Sequence, residues 1–180
     1  ALAQAIRQSA ARRIASGAVR ILYLQTATTS VFSALQLPAP DALLRNVRAT
    51  PGMAGVVHVS GTQSSFFILS VATFGDTFAA LLSWEPRMPR DLAAVFPPFT
   101  ESSGGQTASS TAATTSPVLL PPPSFGDEVI GNHDVRVYRD SVGRSVVLYG
   151  YWDQSTLVIA RDAPAFLEIL ERLATSRAKP

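Results

Sequence analysis

A chain of 180 residues is long enough for one domain, or two small ones, with a core that needs no covalent staples. The absence of cysteine excludes disulfides, thiolate nucleophiles and cysteine-ligated zinc. Charge is sparse, at 16% of residues, and the net value of +2 is spread over dispersed arginines, which excludes a concentrated basic face for nucleic acid; no apolar run reaches the roughly 18 residues that a membrane span requires.

Residues 1–15, ALAQAIRQSAARRIA, predict a helix with a weak apolar stripe of Leu2, Ile6 and Ile14, and with Arg7, Arg12 and Arg13 on a solvated side. After Gly17 the alternation of Val19, Ile21 and Tyr23 with Arg20, Leu22 and Leu24 predicts a strand over 18–25. The hydroxyls of TATTS cap a short helix over 31–37 that Pro38 stops, and Asp41 is expected to cap a second over 42–47. Pro51-Gly52 reads as a turn into a Val-rich strand over 53–60. A turn at 61–64 then returns the chain through 65–72, SFFILSVA, apolar enough for a central strand covered on both faces. Thr73 or Asp76 caps the next helix, in which Phe74, Phe78, Leu81, Leu82 and Glu85 share a side; Pro86 ends it, and a further helix is expected over 89–96.

From Pro97 to Ser124 the composition changes: 11 of 28 residues are Ser or Thr, six are Pro, and Glu101 is the only charge. Such a segment buries too little apolar surface to offset its ordering entropy and reads as a flexible linker or surface strap, with Val118–Leu120 able to dock locally. Beyond it, Asp134–Asp140 reads as a half-exposed strand with Val135 and Val137 on one side and Asp134, Arg136 and Tyr138 on the other. Gly143 supplies the turn into an interior strand over 145–151, WDQS turns again into 156–160, and Asp162 caps a last helix through Phe166, Ile169, Leu170 and Leu173. The expected fold is α+β: a mainly antiparallel sheet built from two strand-turn-strand-helix modules, with helices packed against it. Its parts are an N-terminal half over 1–96, a linker over 97–124, and a three-strand-plus-helix half over 125–176 that completes the same domain. The two modules share a plan but few residue identities, which is weak support for a duplication.

Motifs of chemistry are sparse. No G-x-S-x-G elbow or phosphate-binding glycine loop occurs, and Gly104-Gly105 lies in the linker. The candidate polar cluster is Asp127, Asn132, His133, Asp134 and Arg136, near Glu128. Strand alternation points His133 away from Asp134, so the bland reading has Asp127 capping a turn and Asp134 pairing with Arg136. The competing reading is a hydrolase or metal-assisted enzyme that uses Asp127, His133 and Asp134. His58 lies in an apolar strand and reads as a satisfied core histidine. Tyr149, Tyr151, Trp152 and Asp153 form an aromatic tip, the candidate binding surface, with Trp84 at the end of a helix in the first half. A third candidate is the 134–140 strand, as a sheet edge open to a partner strand. No cofactor and no metal site is expected.

Two stretches together carry a resemblance: FGDTFAALLSWEPRMPRDLAAVF, then, after the linker, FGDEVIGNHDVRVYRDSVGRSVVLYGYWDQSTLVIARDAPAFLEILERL. They resemble a group of uncharacterised proteins of candidate phyla radiation bacteria, in which a single membrane-spanning helix precedes an exported α+β domain. The matching pieces are Phe78-Ala79, Trp84-Glu85, Asp91-Leu92, the Asn132, Asp134 and Arg136 strand, Asp140 with Gly143, and Thr156–Ile159. The resemblance implies an extracytoplasmic domain held by an upstream anchor, and the start at Ala1 is read as a processed or excised end. The function expected is a non-enzymatic binding or assembly module whose partner is a protein or a cell-envelope component, with no nucleic acid and membrane contact only through the anchor.

Overall fold

A computed structural model describes residues 2–24, 29–100 and 122–177. Among these residues seven strands form one antiparallel sheet: β1 (Val19–Leu24), β2 (Val47–Val59), β3 (Thr62–Val71), β4 (Ser124–Ile130), β5 (His133–Arg139), β6 (Ser145–Asp153) and β7 (Thr156–Ala160). Their order across the sheet is β1-β2-β3-β7-β6-β5-β4. Both halves of the chain therefore build one sheet. They meet at the centre, where β3 and β7 pair from Phe66↔Ala160 to Ser70↔Thr156. Among the described residues six helices cover it: α1 (Leu2–Ala11), α2 (Val31–Leu35), α3 (Asp41–Asn46), α4 (Phe74–Trp84), α5 (Met88–Asp91) and α6 (Ala163–Arg177).

Side chains alternate across a strand, so each strand feeds two cores. On one face Ala54, Val56, Phe67, Leu69, Tyr149 and Ile159 pack beneath helices α1 to α5, through Ile6, Phe32, Leu43, Leu81, Trp84 and Met88. On the other face Val57, Phe66, Ile68, Val135, Leu148 and Val158 meet, among the described helices, α6 alone, through Ala165, Phe166, Ile169 and Leu170. β3 is buried on both sides over Ser64–Leu69, as its unbroken apolar run requires. One helix cannot cover a sheet this wide, and Ile21 on β1 remains 53% exposed.

Local chemistry explains most boundaries. Ser30 caps α2 by accepting from Ser33 N at 3.1 Å, and Asp162 caps α6 by accepting from Ala165 N at 2.9 Å. The β2–β3 turn is Ser60-Gly61, both left-handed, rather than 61–64, because Val59 and Thr62 still pair. β2 also begins earlier than expected: it carries Pro51-Gly52 as an irregularity between Val47 and Gly52 instead of a turn. Asp41 is the first residue of α3 and Pro40 the cap, without a side-chain bond. The 89–96 helix reduces to α5 followed by turns, and α1 ends before Ile14. Gln63 and His58 then hold the chain after α1: Gln63 bonds Ala10 O and Ile14 N, and His58 Nδ1 lies 2.8 Å from Ile14 O.

The two modules do not form a symmetric pair. A two-fold axis normal to the sheet between β3 and β7 would exchange β2 with β6 and keep each face on its own side. Helices α4 and α6 follow β3 and β7 onto opposite faces, so no such rotation relates them. Of the 97–124 linker, residues 101–121, including Val118–Leu120, lie outside the described residues, and Ser124 already belongs to β4. Its described ends are held. Phe99 sits under the guanidinium groups of Arg144 (4.4 Å) and Arg161 (4.5 Å), and Arg161 Nη2 donates to Pro97 O at 2.9 Å.

Candidate functional site

The predicted polar cluster is built on the β4–β5 hairpin. Gly131 and Asn132 form its two-residue turn at φ 57° and 64°, so Asn132 is a turn residue in the left-handed region. Ile130 faces His133 across the turn, and the pairs Val129↔Asp134 and Asp127↔Arg136 follow. Alternation then places Asp127, Asp134 and Arg136 on the face of the five helices and His133 on the face of α6. There the His133 ring stands edge-on to Phe166 at 6.4 Å, with Nδ1 2.9 Å from Tyr151 O. A carbonyl only accepts, so this contact puts the ring proton on Nδ1. The structure does not bring Asp127, His133 and Asp134 to one point.

Arg136 does not pair with Asp134. It donates through Nε and Nη2 to both oxygens of Glu85 at 2.7 and 2.6 Å, and through Nη1 to Asp127 at 3.0 Å. Asp127 lies mid-strand and 87% exposed, so it caps no turn. Tyr149 Oη donates to the same Glu85 at 2.8 Å. The Arg136 and Glu85 side chains are only 18% and 12% exposed. The hydrogen bonds from Arg136 to Glu85 raise the guanidinium pKa further, and burial followed by the Glu85 bond pushes the Tyr149 phenol well above its ordinary value. Glu85 sits between a core tryptophan and a proline, immediately after α4, so this network fastens the end of that helix to β5 and β6. Helical spacing in the sequence grouped Glu85 with the apolar stripe and concealed its partner 51 residues away.

The predicted aromatic tip divides in the same way. Tyr149 is fully buried in mid-strand and belongs to the network just described. Tyr151, on the same face, meets the Phe74 ring at 4.7 Å, and Phe74 stacks on Phe78 at 5.8 Å. Its hydroxyl is buried with no hydrogen-bond partner among the described residues, and burial raises its pKa. Trp152 packs on the other face against the α6 core. Asp153 shapes the β6–β7 turn by accepting from Ser155 N and Oγ at 2.8 and 2.9 Å.

Beside Trp152 the sheet is open. A groove of about 360 Å³ runs between α6 and the β1–β3 half, lined by Val19, Ile21, Met53, Phe66, Ile68 and Leu173. A second hollow of about 180 Å³ continues it past Met53, Ile68 and Leu173 to Trp152. Sequence reading found Trp152 but not the groove, which depends on one helix crossing a wide sheet. Among the described residues no group of three or more His, Asp or Glu side chains could hold a metal, and no helix is long and apolar enough to cross a membrane. No protein-family model, curated protein or solved structure matches the chain.

Proposed function

We propose that the chain is a non-enzymatic binding or assembly module that acts outside the cytoplasmic membrane, held there by a tether, with a protein or another envelope component as its partner. The observation that carries the binding part is the apolar groove on the α6 face, which ends at Trp152. Wide apolar concavities with an aromatic at one end suit the burial of a partner's apolar side chains. In support, the groups that acid-base chemistry would draw on have structural partners: Arg136, Glu85 and Tyr149 hold one another, and both His58 and His133 meet main-chain carbonyls. The location rests on the resemblance of the 74–96 and 125–173 stretches to exported, single-pass proteins.

Photo-crosslinking in intact cells tests the binding reading. A reactive side chain at Ile21 or Met53 is expected to give one discrete adduct that excess purified domain competes away, while the same probe at Arg7, on the far face, gives none. No competed adduct, together with ester or amide turnover that Asp127→Asn or His133→Ala abolishes, would replace this reading with the hydrolase. For location, the domain should be digested by protease added to intact cells and retained with their membranes; recovery in the cytosolic fraction would exclude the tether.

A further inference from the structure

Both ends of a sheet leave hydrogen-bonding groups unpaired, and proteins usually disrupt such edges. The 134–140 strand is not an edge here: β5 lies between β4 and β6. The edges are β1 and β4, and they differ. β1 is broken by a register shift between Ile21 and Tyr23, the kind of bulge that discourages strand addition. β4 pairs with β5 without interruption from Ser124↔Arg139 to Ile130↔His133. Its seven residues present a straight edge about 23 Å long, and alternate residues of an edge strand turn their N–H and C=O groups outward. Among the described residues no strand pairs with that side.

The side chains along this edge select a partner. On the five-helix face Val129 is 70% exposed and stands beside Asp134, which has no ion pair among the described residues. Next along the edge, a single guanidinium, that of Arg136, serves both Glu85 and Asp127. One cation among three carboxylates leaves this margin negative. On the opposite face Glu128 is neutralised by Arg139, which binds both of its oxygens at 2.7 and 2.8 Å.

We propose that the outer edge of β4 receives an extended basic segment of a partner protein as an eighth strand, with an apolar side chain on Val129 and cationic side chains toward Asp127 and Asp134. This rests on the binding reading and names the kind of partner. Backbone pairing supplies affinity that is indifferent to sequence, and a basic and an apolar side chain two residues apart, on the face of Asp127 and Val129, supply selection. A second copy of the chain fits worse, because antiparallel pairing centred on the strand sets Asp127 directly against its own copy. An anionic lipid surface would meet the same carboxylates.

The test uses the whole chain, with two pools of synthetic peptides about ten residues long, enough to span a strand of this size. One pool sets Lys or Arg and Val or Ile in turn at every second position, so that both lie on one face, with Thr between them; the other replaces the cations with Asp or Glu. The basic pool should slow amide hydrogen exchange in 124–130 by about tenfold or more, and the acidic pool should not. Val129→Lys and Asp134→Lys, both exposed substitutions, should weaken binding by about tenfold while the melting temperature holds. Equal binding of the two pools, indifference to both substitutions, or protection at β1 would overturn the proposal. So would dimerisation through β4, or protection of 124–130 by phosphatidylglycerol vesicles instead of peptide. Peptide shifts confined to Val19, Ile21 and Met53 would overturn it and leave the groove as the binding surface; absence of the Ile21 crosslink with the peptide result retained would remove the groove and leave the β4 edge.

Discussion

Glu85 is the residue on which the polar network turns, since it accepts from Arg136 twice and from Tyr149 once. Removing it leaves a largely buried guanidinium with only Asp127 and a buried phenol with no acceptor. Glu85→Ala should therefore destabilise the fold by about 2–3 kcal/mol, between the limits for exposed and fully buried pairs, and urea unfolding measures it. Tyr149 also makes the network sensitive to alkali. Its folded-state pKa lies above the unfolded value of about 10, so its contribution is fully present below that pH and is lost as pH rises beyond it. Stability should fall from about pH 10 upward, and Tyr149→Phe should lessen the slope by up to one proton, about 1.4 kcal/mol per pH unit. Glu128 acts in the opposite direction. The Arg139 hydrogen bond, the largest effect, holds its carboxyl below the ordinary range, so that pair's contribution is lost as the solution becomes acid.

Between strands and helices, close approach decides more than composition. Gly150 lets β6 lie against β5 and α6: a methyl group there would come within 2.6 Å of Val135 Cγ1 and 2.9 Å of Phe166 Cζ. Gly150→Ala should cost about 1–3 kcal/mol or more by overpacking. Gly61, left-handed at φ 76° with open space around it, should lose only about 1 kcal/mol on the same change, so thermal melts of the two variants separate crowding from backbone strain. The elements that sequence foretold are those whose signals are local. The apolar run of β3, the alternation of β5 and the caps at Ser30 and Asp162 each act over a few residues. The strand at 124–130 was missed because its pattern mixes Gly and acids with few apolar positions, and it became a strand through pairing with β5. In α4 the stripe read as Phe74, Phe78, Leu81, Leu82 and Glu85 is right at Leu81 and in part at Phe78, which packs against the core, while Phe74 and Leu82 are exposed. The buried face is Thr77, Ala80, Leu81 and Trp84, chosen by what the helix packs on. The candidate site suffered most, since Glu85 meets Arg136 only after both halves have folded.

For the whole molecule, cohesion comes from contacts between the halves. β3 and β7 pair at the centre of the sheet, Glu85 reaches Arg136 and Tyr149, and Phe99 lies beneath Arg144 and Arg161. Residues 1–100 and 122–180, prepared as separate peptides, should therefore associate when mixed and give one cooperative thermal transition. Independent folding of either peptide, or no change in circular dichroism on mixing, would show that the seam is weaker than its contacts imply. Pro122 and Ser124 lie beside Asp140 and Gly143, in the same corner of the sheet where Arg144 covers Phe99, so the chain leaves and re-enters near one turn. Should the peptides associate, covalent continuity and structural cohesion would be separable in this protein. A gene interrupted between 100 and 122 would then encode the sheet as a heterodimer whose interface is its own centre, and the described residues flanking the break, Phe99 and Pro122, lie at one corner of the sheet.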